Sequence, residues 1–93
     1  MKIQQNDSDK KGEFFYETDG KKLGLMTYSR AGDHKIIIDH TEVDESLKGQ
    51  GVGYKLVEAA VNYARDNNLK IMPLCPFANA VFKKRSEYND VKF

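Results

Sequence analysis

Apolar and β-branched runs alternate with glycine-marked breaks along the first half of the chain and predict three strands. Residues 13–18 are rich in aromatic and β-branched side chains and run into the turn dipeptide Asp19-Gly20. Residues 22–30 alternate between two faces and end at the break over 31–33. Residues 35–43 contain three consecutive isoleucines, which predict a central strand whose first half is buried on both faces.

The apolar pattern changes to a helical period after residue 51. Asn67-Asn68 predicts the helix end, because asparagine tolerates the left-handed conformation found there. Residues 69–74 then predict a short strand, which is parallel to the third strand since a helix joins the two. The apolar positions of the helix are Val52, Leu56, Ala59, Ala60, Tyr63 and Ala64.

The chain ends carry weaker patterns. Residues 4–11 are polar without periodicity, so a frayed N-terminus is expected and residues 1–11 are predicted to be flexible. Cys75-Pro76 predicts the start of a second, short helix that ends by Ser86. The sequence leaves open whether the aromatic residues of the tail dock on the body. The predicted fold is α/β: an antiparallel three-strand meander, a helix, a fourth strand parallel to the third and a short C-terminal helix.

Composition limits the classes of protein that this chain can belong to. Its 93 residues fit a single domain with a modest core, and its net charge of +1 provides no field that would recruit nucleic acid or an anionic membrane. A lone cysteine, no bilayer-length apolar run and no signal-type start predict a cytoplasmic protein. His34, His40 and Cys75 have no standard metal-ligand spacing, so no metal is expected. We expect a monomer or weak dimer.

The segment Lys48-Gly49-Gln50-Gly51-Val52-Gly53 lies between the third predicted strand and the first helix. A strand, a glycine loop and a helix form an anion-binding arrangement, because glycines allow close approach and the first N–H groups of the helix converge on the ligand. Tyr54-Lys55 stands where a triphosphate-binding P-loop requires Lys-Ser or Lys-Thr, and neither frame fits the dinucleotide pattern. A phosphate-bearing ligand is indicated; the alternative is that the glycines form only a turn.

The spacing of this loop resembles the pyrophosphate loop of the GNAT superfamily of N-acetyltransferases, Arg/Gln-x-x-Gly-x-Gly/Ala, with a lysine at its first position. His40-Thr41-Glu42-Val43 and Pro73-Leu74-Cys75-Pro76-Phe77 resemble signature segments of a compact GNAT-like subfamily. The resemblance implies a shortened GNAT fold. The helices that longer relatives carry between their first two strands have no room here, because a hairpin at Asp19-Gly20 joins these strands.

The resemblance implies coenzyme A as the ligand, with acetyl-CoA as its expected form. Its pyrophosphate would lie on the N–H groups of residues 48–54, and its pantetheine arm would pair with the end of the third strand near Thr41 and Val43. Lys48, Lys55, Lys83, Lys84 and Arg85 are either phosphate partners or a solvated basic face. The cofactor-binding residues implied are Thr41, Val43, Lys48, Gly49, Gln50, Gly51, Val52, Gly53, Tyr54, Cys75, Asn79, Phe82 and Lys83.

The chemistry implied by the family is attack of an amine on the thioester carbonyl, which needs a base, donors for the oxyanion and an acid for the thiolate. His40 and Glu42 lie two residues apart on a strand, so both emerge on the same face and are candidates for base or relay. The alternative is a hydrogen-bonded sheet histidine beside an exposed carboxylate. A backbone N–H near Val43 is the expected oxyanion donor.

The position where relatives commonly place a tyrosine acid is Phe82 here, four residues after Ala78, so the usual acid is missing. Cys75 is the third catalytic candidate, because a thiol at a helix N-terminus has its thiolate stabilised. It is an acyl-accepting nucleophile, a proton donor or only a small buried hydrophobe. Two functions therefore remain: an N-acetyltransferase with an unknown amine acceptor, and a non-catalytic acyl-CoA-binding module.

Overall fold

The computed structural model describes residues 2–93 and contains a five-stranded sheet whose strand order follows the chain. Neighbouring strands are antiparallel from the first to the fourth, and the fifth is parallel to the fourth, which confirms the predicted parallel pair. The elements are β1 (Gln4–Asp7), β2 (Lys11–Thr18), β3 (Lys21–Arg30), β4 (Lys35–Val43), α1 (Val52–Asn67), β5 (Lys70–Pro73) and α2 (Pro76–Lys84), with 3₁₀ segments at Glu45–Leu47 and Ser86–Val91.

The N-terminal strand β1 corrects the expectation of a frayed terminus for residues 4–7, while Met1 lies outside the described residues. β1 pairs with residues 12–15 of β2. Asp7 accepts hydrogen bonds of 2.6 Å from the Tyr28 hydroxyl and from Arg30, and Gln5 donates to the same hydroxyl at 2.8 Å. These partners lie far away in the chain, so the local polarity of the segment gave no indication of its pairing.

Both helices pack on one face of the sheet, which explains why β4 is not buried on both sides. Ile36 and Ile38 are fully buried in the core with α1 and α2, whereas Ile37 is only half-buried on the other face. The prediction of burial on both faces is therefore wrong for this strand. We call the uncovered side the open face; strand alternation places Phe15, Leu25, His40 and Glu42 on it.

The buried side of α1 is rotated slightly from the predicted one. Val57 and Val61 are fully buried, while Ala59 and Tyr63 are half-buried at its margin. The helix ends at Asn67 and is capped by Asn68, whose φ of 60° is left-handed, as predicted from these asparagines. No helix among residues 2–93 combines the length and apolar character that crossing a membrane requires.

The C-terminal tail docks on the body, which answers the question the sequence left open. Tyr88 and Val91 are buried, and the Tyr88 ring lies 5.9 Å from that of Phe82. The backbone N–H of Phe93 donates to Ile71 at 2.8 Å, so the tail also covers part of the free edge of β5.

Candidate functional site

Strand β4 extends beyond its parallel neighbour β5. Pairing between the two strands ends at Ile38 and Pro73, and the backbone N–H groups of Leu74 and Cys75 both donate to the Ile38 carbonyl, at 3.2 and 3.1 Å. The chain then enters α2, while β4 continues to Val43. Among the described residues, no strand pairs with this last part of β4 on its β5 side.

The backbone groups that face this unpaired edge belong to Thr41 and Val43. The N–H of Asp44 donates to Leu23 of β3 at 2.7 Å. Backbone groups alternate in direction along an antiparallel strand, so the N–H and C=O groups of Thr41 and Val43 point away from β3. An extended ligand could pair with them as an added strand, at the position the sequence analysis expected.

The glycine loop turns through two left-handed residues before α1 begins. Gly49 has a φ of 81° and Gly51, the residue before the helix, has a φ of 73°. Left-handed backbone strains residues that carry a Cβ, which accounts for glycine at both positions. Nothing lies within 4 Å of a Cβ built on either glycine, so the two Cα atoms face free space.

Fewer backbone N–H groups of this loop are free than the full set of residues 48–54 expected from the sequence. The N–H groups of Lys48 and Gln50 donate to Glu45 and Leu47, at 3.0 and 3.1 Å, and are already used. The first intrahelical bond runs from Lys55 to Gly51, which leaves the N–H groups of residues 51–54 without a helical acceptor. Within residues 2–93 no side chain caps this helix, so these donors remain available to an anion.

A cleft of about 540 Å³ lies between the glycine loop and the end of β4; we call it the loop cleft. Phe77 of α2 forms part of its wall and meets Tyr54 edge to face, with ring centroids 5.7 Å apart. A Cβ on Gly53 would lie 2.5 Å from the Phe77 ring, so the close packing of α1 on Phe77 requires glycine there. The cleft is lined by Val43, Asp44, Glu45, Leu47, Lys48, Gly49, Gly51, Val52, Gly53, Tyr54 and Phe77.

Two cationic side chains lie beside the glycine loop, in a cleft separate from the loop cleft. Lys55 and Arg85 line a smaller cleft of about 260 Å³ that also includes Gln50 and Gly51, and the Arg85 guanidinium lies 5.2 Å from the Tyr54 ring centroid. Asn79 and Lys83, which the family resemblance implies as cofactor contacts, line neither this cleft nor the loop cleft, and Thr41 and Cys75 lie outside both linings as well. A cavity of about 550 Å³ beside Asp7, at the other end of the sheet, has no glycine loop or helix N-terminus in its wall.

Cys75 lies directly before α2, as predicted, and contacts β4. It is 5% exposed, and its thiol donates to the Thr41 hydroxyl over 3.4 Å. Burial acts to raise the pKa of this thiol, but the Thr41 hydroxyl and the nearby backbone N–H groups of Ala78 and Phe77 at the start of α2 outweigh burial. The pKa of Cys75 therefore lies below its ordinary value.

His40 and Glu42 contact each other on the open face, which confirms that the two side chains share one face. Nε2 of His40 lies 3.0 Å from Oε1 of Glu42, and the side chains are 60% and 69% exposed. Thr41 between them points to the opposite face, where it contacts Cys75. The structure thus brings His40 to Glu42 but separates both from Cys75 by the thickness of the sheet.

A second cleft lies on the open face, beside the end of β4. It measures about 370 Å³, and we call it the open-face cleft. It shares Val43 and Asp44 with the loop cleft, so the two clefts meet at the end of β4. Its lining is Lys22, Leu23, Leu25, Glu42, Val43 and Asp44.

Phe82 occupies a different environment from the one its sequence position implied. Its side chain is 2% exposed and packs in the core against Tyr88, so it offers no surface to a ligand in the loop cleft. Sequence reasoning instead missed Phe77 and Leu47 as lining residues. Phe77 carried a weak signal in the sequence, because it is a large apolar residue in the first turn of a short helix. In the structure its side chain is 37% exposed and has little else to cover.

A sequence model described as GCN5-related N-acetyl-transferase matches residues 13–91. The chain belongs to this family. The GNAT chain is similar to an NMR structure of a GCN5-like protein from Staphylococcus aureus, with 38% identity, a TM-score of 0.72 and coverage of 97% of this chain and 87% of that chain. No curated protein sequence matches it.

More distant solved structures share the GNAT fold. The ribosomal-protein-alanine N-acetyltransferase of Brucella melitensis is 16% identical, with a TM-score of 0.65 over 92% of this chain and 64% of that chain. The aminoglycoside N-acetyltransferase AAC(6')-Iy, solved in complex with CoA, is 13% identical, with a TM-score of 0.66 over 89% of this chain and 88% of that chain. At these identities the likeness concerns the fold alone.

Proposed function

We propose that this GNAT chain binds acetyl-CoA in the loop cleft and transfers its acetyl group to an amine. The observation that carries the proposal is the end of β4, whose unpaired edge opens into a cleft bounded by the free N–H groups of α1. The unpaired edge of β4 suits an extended amide-bearing chain, and the free N–H groups of α1 suit a pyrophosphate. Both groups occur in coenzyme A.

In this arrangement the pyrophosphate lies on the N–H groups of residues 51–54, where the helix dipole favours an anion. Lys48, Lys55 and Arg85 neutralise phosphate charge around the loop. The amides of the pantetheine arm pair with Thr41 and with the carbonyl of Val43, and the thioester reaches the region between β4 and Cys75. The solved complex of AAC(6')-Iy with CoA, which has the same fold, supports the choice of ligand.

Different steps of the acetyl transfer take place on the two faces of β4. An amine approaches from the open face, where the His40–Glu42 pair removes its proton. The N–H of Val43 points to the unpaired edge and stabilises the oxyanion. The thiolate leaves on the core-side face, where the Cys75 thiol is positioned to donate a proton or to accept the acetyl group first.

The second candidate function is a non-catalytic acyl-CoA-binding module. It is favoured by one observation: the position expected to hold a tyrosine acid is Phe82, which lies in the core without a hydroxyl. The binding module would use the same loop cleft and the same edge of β4. The two functions differ only in whether the acetyl group leaves the cofactor.

The test is an amide chemical-shift titration with acetyl-CoA, followed in the same tube by mass spectrometry of protein and cofactor. We expect shifts at residues 49 and 51–54, at Thr41 and Val43, and at Cys75, with loss of acetyl from the cofactor. The same shifts with intact cofactor would favour the binding module. An absence of shifts would contradict both functions and leave the glycine loop as a turn.

A further inference from the structure

Lys22 lies in the wall of the open-face cleft, at the point where this cleft meets the loop cleft. The two clefts share Val43 and Asp44, so a group in the open-face cleft faces the end of β4 from the side opposite the proposed cofactor. Of the six residues that line the open-face cleft, only Lys22 carries an amine. The chain therefore places an amine-bearing side chain in the wall of the cleft through which, in the proposed function, an acceptor amine enters.

The ammonium group of Lys22 is held in a defined position on the open face. It donates to Oε2 of Glu13 at 2.5 Å and lies 4.5 Å from the centroid of the Phe15 ring. The Lys22 side chain is 39% exposed, and the bond is the main cause that lowers the pKa of Glu13. An exposed ion pair of this kind is weak, and the long lysine stem can leave it for the cleft.

We propose that Lys22 is an internal acceptor that becomes acetylated in cis by acetyl-CoA in the loop cleft. The inference rests on the proposed binding of acetyl-CoA. The Lys22 ammonium first loses a proton to solvent or to the His40–Glu42 pair. Its neutral nitrogen then bonds to the thioester carbonyl carbon and gives up a second proton, the carbon–sulfur bond breaks, and the coenzyme A thiolate takes up one proton and leaves as the thiol.

Acetylation would change the acceptor side of the site. The amide product carries no charge and cannot pair with Glu13, so both the Glu13 pair and the cation over Phe15 are lost. The open-face cleft would then have an apolar acetyl group beside Leu23 and Leu25. Each acetylation of Lys22 by the cofactor would therefore change the shape and the charge of the open-face cleft.

The test follows acetylation of each lysine over time by peptide mass spectrometry, in the full chain incubated with acetyl-CoA. Lys21 is the internal control, because it is the neighbour of Lys22 in β3 and is exposed but does not line the open-face cleft. We expect Lys22 to be acetylated faster than Lys21, at a rate per molecule that does not depend on protein concentration. With acetyl phosphate, which lacks the pantetheine and nucleotide, the preference should disappear.

Two variants sharpen the test. Lys22→Arg keeps the charge and removes the acceptor nitrogen, so the fast-forming adduct should vanish, while Lys21→Arg should leave it in place. Glu13→Gln releases the ammonium and should speed acetylation of Lys22 by up to about fivefold, the factor that a weak exposed ion pair represents. Acetylation of Lys21 should not change in that variant.

The outcomes separate this inference from the proposed function. Amide shifts at the loop cleft together with equal acetylation of Lys22 and Lys21 would overturn the inference and leave cofactor binding intact. A Lys22 rate that rises in proportion to protein concentration would overturn transfer in cis. Neither shifts nor a Lys22 adduct would overturn both.

Discussion

The core-side face of β4 and its open face supply the chemistry of the site in different ways. On the core side, the groups offered to a ligand are backbone N–H groups of α1 and β4 and a buried thiol, all fixed by the fold. On the open face they are the exposed side chains of Lys22, His40 and Glu42. In the proposed function, the cofactor side is therefore specified by backbone geometry, while the acceptor side is specified by exposed charged side chains.

The largest expected effect is the loss of cofactor binding in Gly51→Val. A β-branched residue is strained at a φ of 73° and fills the space that the pyrophosphate would approach. Two hydrogen bonds to charged groups contribute roughly 1.5–3 kcal/mol each, so the affinity for acetyl-CoA should fall by more than about 100-fold. Isothermal titration calorimetry measures the change.

Gly32→Val is the matched control for backbone strain. Gly32 has a φ of 75° and free space around its Cβ position, but it does not line the loop cleft. Both variants should lose comparable thermal stability, and only Gly51→Val should lose binding. Equal loss of affinity in the two would mean that strain, and not the blocked approach, is responsible.

The next effect concerns the buried thiol of the core-side face. Cys75→Ala should eliminate any acetyl adduct that hydroxylamine cleaves, because a thioester on the protein requires the only cysteine of the chain. Binding should persist, since the N–H groups of residues 51–54 and the edge of β4 are unchanged. Mass spectra with and without hydroxylamine check this. A persistent labile adduct would exclude Cys75 as the acyl acceptor.

On the open face, His40→Ala should lower kcat for acetyl transfer to a primary alkylamine by about 100-fold, the lower end of what a general base contributes. The affinity for acetyl-CoA should stay the same, because the His40 side chain points away from the loop cleft. His34→Ala is the control, since His34 is the other histidine of the chain. If His40→Ala retained full kcat, the alternative of a structural sheet histidine would hold.

The same contrast explains how much the sequence could predict. The bounds of α1, its asparagine end and the left-handed glycines follow from local periodicity and local backbone rules, so they could be predicted. β1 could not, because its partners Tyr28 and Arg30 lie far away in the chain. The open-face cleft also depends on tertiary structure: Lys22 and Glu42 meet there only because β3 pairs with β4.

The smallest expected effect is a shift in pH dependence in Thr41→Val. The Thr41 hydroxyl is one cause that lowers the pKa of Cys75, so its removal should move that pKa upward. Acylation of Cys75 by acetyl-CoA should then need a higher pH, while the rates of the two proteins converge where both thiols are ionised.

Thr41→Ser keeps the hydroxyl and should keep the original pH profile. An unchanged profile in Thr41→Val would instead assign the effect to the backbone N–H groups of Phe77 and Ala78 at the start of α2. Transfer to an external amine through His40 should keep its own pH dependence in both variants, because Thr41 and His40 lie on opposite faces of β4. A profile that moved for both reactions would show that the two faces act as one unit.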